Sequence, residues 1–185
     1  GRRLNKVLAN TLTCNSIYLR QIMQQYAAGK SDDLAYRLAR RNAHNADAAL
    51  STTLANMLME PGQFRKEADV GFRFLVLSHT LLSYLSGLGA HRETQLPADV
   101  REHLIDGAGK TLAASIDEIA TGLANKQPIS IQSDAEEALA AELEQMPDEI
   151  DEGQRLVQTQ LALICRQLGP LRTLAAHLIK DTSAA

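Results

Sequence analysis

The chain has 185 residues, 45% of them hydrophobic and 4% aromatic, no Trp, and a formal net charge of −3. That length supports one domain with a core of its own, and a balance so near neutral gives no reason to expect a nucleic-acid partner. Leu and Ala dominate while β-branched and aromatic residues are scarce, which excludes a sheet protein and predicts an all-α fold. The expected architecture is an antiparallel helical bundle of about five to six helices, one domain over 1–181 with a frayed tail at 182–185.

In chain order, Leu4, Val7, Leu8, Leu12, Tyr18, Leu19, Ile22, Met23 and Tyr26 share one side of a helix over roughly 2–28. Gly29 closes it, and Ser31 or Asp32 caps a second helix that runs to the Glu60-Pro61-Gly62 stop. The third, roughly 63–87, is apolar around much of its circumference between Phe72 and Leu85, as the central helix of a bundle would be. Pro97 starts a fourth, to about 124. Ser133 begins a short acidic helix ending near Met146-Pro147. The last helix, from about Asp148 to about 180, is expected to kink or break at Gly169-Pro170, because proline removes one hydrogen bond and clashes a turn back.

Charge is unevenly spread. Arg2, Arg3, Lys6, Arg20, Lys30, Arg37, Arg40 and Arg41 oppose only Asp32 and Asp33 in residues 1–41, and the stretch between Lys126 and Arg155 holds nine acidic groups and no basic one. Arg37, Arg40, Arg41 and His44 fall on one strip of the second helix. The other side carries Ala35, Leu38, Ala39, Asn42, Ala43, Ala46, Ala49 and Leu50, mostly small residues that let a neighbouring helix come close. There Asn42 would need a hydrogen-bond partner. The strip reads either as a solvated face with local pairs, Asp47 to Arg40 or His44, or as a site for an anion: a carboxylate, a phosphate or the acidic segment 134–152.

Chemistry-bearing motifs are not evident. Gly107-Ala108-Gly109-Lys110-Thr111 has the end of a phosphate loop, but Leu104 replaces the first glycine and the surrounding period is helical rather than strand-to-helix. None of His44, His79, His91, His103 and His177 follows a carboxylate by three positions, and HExxH does not occur, so no metal site is expected. No GxSxG elbow occurs. His79, on the apolar third helix, is expected to be buried. Cys14 and Cys165 have no ligand-like spacing and read as small hydrophobes in a reducing compartment. No catalytic residue and no cofactor are expected.

No stretch of about 18 apolar residues exists for a membrane span. The chain also opens on Gly1-Arg2-Arg3 rather than Met, as a piece of a longer protein would. Tyr18-Leu19, Tyr36-Arg37, Arg40-Arg41-x-Ala43-His44, Asp47-x-x-Leu50-Ser51 and Glu60-Pro61 resemble the C-terminal cytosolic region of the YccS/YhfK branch of the fusaric-acid-resistance-like (FUSC) inner-membrane transporter family. The resemblance runs over 1–62 and extends to about 90. It implies a bacterial inner-membrane parent related to efflux proteins, with this chain as its non-enzymatic cytosolic end. The partners it implies are the transmembrane portion of the same parent, a second copy of the chain, and an anionic membrane surface beside Arg2 and Arg3. Two roles stay open. One is a domain for oligomerisation, gating or docking, through Arg37, Arg40, Arg41 and His44. The other is a sensor in which an arginine with Phe72, Tyr84 or Tyr36 holds an aromatic acid or other anion.

Overall fold

The computed structural model describes residues 2–28, 33–60, 62 and 65–183. Among them there is no strand, and the elements are α1 (Arg2–Ala28), α2 (Asp33–Met59), α3 (Arg65–Ala90), α4 (Ala98–Arg101), a π-helical segment (Glu102–Gly109), α5 (Lys110–Asn125), α6 (Asp134–Glu144) and α7 (Glu152–Ser183). Backbone angles stay right-handed helical at Arg101, Glu102, Gly109 and Lys110, so α4, the π segment and α5 form one rod. The chain is therefore an all-α bundle of six rods. The expected caps at Gly29, Ser31 and Asp32, the Pro61 stop, the Arg2 side chain and the tail beyond Ser183 lie outside the described residues.

Four helices form the core ring. α1 packs on α5, α5 on α7, α7 on α3 and α3 on α1; α2 lies over α1 and α3, and α6 lies along α7. The central helix is α1 and not, as the hydropathy of 72–85 suggests, α3. Along α1 the exposed positions are Arg3, Lys6, Asn10, Thr13, Ile17, Arg20, Gln24 and Ala27, alternately three and four residues apart. That spacing is one narrow stripe of a helix; almost everything else is covered. Even Asn5, Thr11, Asn15, Ser16 and Gln25 are buried there. Ser16 Oγ finds an acceptor in the Ala113 carbonyl of α5 at 3.3 Å, and Thr11 Oγ1 bonds the Val7 carbonyl at 3.0 Å.

Glycines allow two close approaches. A Cβ on Gly89 would lie 2.6 Å from Tyr36 Oη, so the end of α3 can reach the tyrosines of α1 and α2 only without a side chain there. Gly109 makes room for Met23 Sδ. The Gly107–Thr111 stretch is thus helical packing surface, as its period indicates, and follows no strand.

Ser133 caps α6 as expected, its Oγ accepting from Glu136 N at 3.3 Å. Of the kink or break expected at Gly169-Pro170, the break does not occur: α7 runs through Pro170. The carbonyl that loses its hydrogen bond belongs to Arg166, an exposed position where water can replace the donor. Leu168, Leu171, Leu174 and Ala175, buried on both sides of the proline, carry the helix past it.

An ion cluster fastens α5, α6 and α7. Arg172, 2% exposed, donates from Nε to both oxygens of buried Glu136 at 2.9 and 3.0 Å, and from Nη2 to Oε2 at 2.5 Å. It also reaches Glu118 of α5 at 3.2 Å, and this carboxylate is 57% exposed. Hydrogen bonding to Glu136 is the main cause of an Arg172 pKa above its ordinary range. Arg172→Met leaves Glu136 desolvated without its partner and is expected to cost about 3–5 kcal/mol, whereas Arg172→Met with Glu136→Leu recovers most of the loss. Chemical denaturation of both variants checks this. Gly89→Ala is expected to cost about 1–3 kcal/mol in the same assay, because the Tyr36 ring that has to move is itself packed.

Candidate functional site

α2 belongs to the bundle by one side. Tyr36, Ala39, Ala43, Ala46, Leu50 and Leu54 are buried against α1 and α3, and the three alanines bring the helices close as the sequence predicts. The buried side is rotated from the expected one, however. Ala35, Leu38, Asn42 and Ala49 are exposed, Leu38 at 53%, and Tyr36 takes their place inside. A ring at position 36 buries more apolar area than alanines can, and this turns the helix. Asn42 in consequence meets solvent.

Arg37, Arg40, Arg41 and His44 all lie on the outer surface of α2. Arg37 Nε donates to the Asp33 carbonyl at 3.3 Å; Arg40, Arg41 and His44 have no hydrogen bond or ion pair among the described residues. The local pair expected from Asp47 is absent. Its Oδ2 instead meets Nδ1 of His79 across to α3 at 2.8 Å, while its Oδ1 is buried without a partner. His79 is thereby corrected as well: its side chain is 64% exposed, not in the core.

The acidic segment does not neutralise the strip. Four of its carboxylates are engaged around α7 and the π segment: Glu136 by Arg172, Glu137 and Glu144 by Arg166, and Glu142 by His103 at 2.6 Å. Contact with Arg166 holds the Glu144 carboxyl below its ordinary range.

A further cation, which sequence reasoning missed, joins the surface beside Tyr36. The Arg92 guanidinium lies 4.4 Å from the centroid of that ring, in cation–π geometry, and its Nη1 donates to the Gly89 carbonyl at 3.1 Å. Tyr18 packs against Tyr36 with centroids 5.9 Å apart and planes tilted by 53°. Tyr26 Oη donates to the Leu88 carbonyl at 2.7 Å. The only hint in the sequence was an arginine in the turn closing an apolar helix that ends Gly-Leu-Gly. The arginine beside Tyr36 that a sensor would need does exist, but the ring it covers is 3% exposed. Phe72 and Tyr84 pack half-buried against the core.

No group of three or more His, Cys, Asp or Glu among the described residues could hold a metal ion. Both cysteines are free, Cys165 buried and Cys14 half-buried. Burial, reinforced by the Glu136 charge, pushes the Cys165 thiol up to about 12, and its Sγ donates to the Glu136 carbonyl at 3.2 Å. Among the described residues no helix is long and apolar enough to cross a membrane.

Against known proteins, the chain is 42% identical over 105 residues to "Inner membrane protein YccS" of Escherichia coli (strain K12), covering 57% of this chain and 15% of that protein. The chain is a relative of YccS. It is also 40% identical over 141 residues to an uncharacterized protein of Haemophilus influenzae, covering 73% of this chain and 20% of that one. An uncharacterized protein, ORF2, of Neisseria gonorrhoeae is 33% identical over 87 residues, 46% of this chain and 21% of its own length. The resemblance to the YccS family of inner membrane proteins therefore stands, and the chain spans about a fifth or less of the length of these two relatives. No family profile and no solved structure matches it.

The tyrosines under the strip give it a measurable base. Burial pushes Tyr18 from an ordinary value of 10.0 up to about 12, and Tyr26 is raised for the same reason. A pKa raised on folding contributes stability that is whole below the unfolded value and lost as pH rises through the folded one. Unfolding in alkali is therefore expected between about pH 10 and 12, with tyrosinate absorbance and loss of helical circular dichroism appearing together. Tyr18 ionised in a fully helical protein near pH 10 would contradict it.

Proposed function

We propose that this chain is a non-enzymatic domain on the cytosolic side of an inner-membrane, efflux-type transporter, and that it associates with a second copy of itself through the outer face of α2. The observation that carries the reading is the state of Arg37, Arg40, Arg41 and His44: four basic side chains on an outermost helix, exposed together and engaged by no carboxylate among the described residues. Charge so arranged attracts an acidic surface, speeds encounter and sets the register of association. The relation to an inner membrane protein supports the setting. The two free cysteines and the basic residues early in α1, Arg3 and Lys6, both exposed, agree with the cytosolic side. A role in gating would follow if this contact ties neighbouring parents together.

Light scattering over a concentration series tests the reading. The native chain is expected to self-associate in a manner weakened by salt. Arg37→Glu with Arg41→Glu is expected to raise the dissociation constant by about tenfold or more, from two like-charge contacts of about 1 kcal/mol each. Both positions are exposed, so the fold should be untouched. A chain that stays monomeric at high concentration, or associates equally well after the double reversal, overturns it.

A further inference from the structure

A second cationic place lies beyond the α2 strip. A cleft of about 510 Å³ opens between the last turn of α1, the turn that follows α3 and the first turn of the next rod, with Gln25, Tyr26, Arg92, Gln95 and Arg101 among its walls. Two arginines face one acid there, Glu93, which already has a partner.

Arg92 is held before any ligand arrives. The Tyr36 ring supports one face of its guanidinium, and the Gly89 carbonyl takes Nη1 at 3.1 Å. What remains is the Nε–Nη2 edge. Nε is buried and has no acceptor among the described residues, an arrangement that costs free energy unless something supplies one. That edge presents two parallel N–H groups, the pattern that a planar carboxylate or two oxygens of a phosphate satisfy side-on. Arg101 brings a second charge to the same cleft from the other wall.

We propose that this cleft binds a small oxyanion, a carboxylate or phosphate group, held side-on by the Nε–Nη2 edge of Arg92 and balanced by Arg101. Lysine at position 92 could not replace the fork, because an ammonium offers a point charge without two fixed parallel donors. The inference does not rest on self-association through α2: none of Arg37, Arg40, Arg41 and His44 lines the cleft.

The test is a titration of the 185-residue chain at fixed ionic strength with inorganic phosphate, with acetate and with chloride as reference, followed by the Arg92 Nε–H resonance and by calorimetry. Expected is a saturable, single-site shift with phosphate or acetate that chloride does not produce. Arg92→Gln, Arg92→Lys and Arg101→Gln should each weaken it about tenfold or more, while Arg37→Gln leaves it unchanged. Arg101→Gln is the deciding variant if Arg92→Gln disturbs the packing on Tyr36. Saturation by only one of the two anions identifies the group. Phosphatidylglycerol vesicles that displace bound phosphate would place it on a lipid headgroup, and vesicles without effect would leave it a soluble anion. A shift equal in chloride, one that does not saturate, or one indifferent to Arg101→Gln overturns the proposal.

Discussion

Burial of α1 on nearly all its sides is the constraint from which the other positions follow. A helix that leaves only one narrow stripe to water needs neighbours on every other side, and α5, α2 and α3 supply them. Once α3 and α5 are joined through α7, the ring is closed, and α2 can lie only on the outside of α1 and α3. An outside helix needs one apolar side and no more. The rest of α2 is free to carry charge, and it does.

The peripheral helices are fastened by polar contacts as well as by packing. Asp47 to His79 ties α2 to α3, and His103 to Glu142 ties the π segment to α6. Arg172 and Arg166 gather the acids of α6 onto α7. Of these pairs only Arg172–Glu136 is withdrawn from water, so among them only there does loss of one partner leave a charge with nothing to replace it. The same contacts have a functional consequence. They hold Glu136, Glu137, Glu142 and Glu144 against α7 and the π segment, away from the arginines of α2.

At the tyrosine cluster, packing and charge meet. Gly89 lets Tyr18 and Tyr36 come together under the end of α3, and the ring so placed becomes the seat of Arg92. A guanidinium fixed by a ring and a carbonyl loses little further freedom on meeting a ligand, which favours binding over a mobile surface arginine. Two cationic places result, one broad and outward on α2, the other a cleft at the end of α1, suited to a surface and to a small group respectively.

The sequence by itself determined the helices and most of their limits, because periodicity, caps and stops act over a few residues: α1, the Ser133 cap and the Pro97 start are all legible in it. It also placed Arg37, Arg40, Arg41 and His44 on one face, since side chains three or four apart on a helix are neighbours whatever surrounds them. Tertiary structure alone decided which helix is central, that α2 turns Tyr36 inward and Asn42 outward, that Asp47 reaches His79, and that α7 passes through Pro170. Each of those depends on groups far apart in the chain, and so does Arg92 on Tyr36. Local preference amounts to about 1 kcal/mol or less per residue, a buried ring to more, so packing across the bundle prevails where the two disagree.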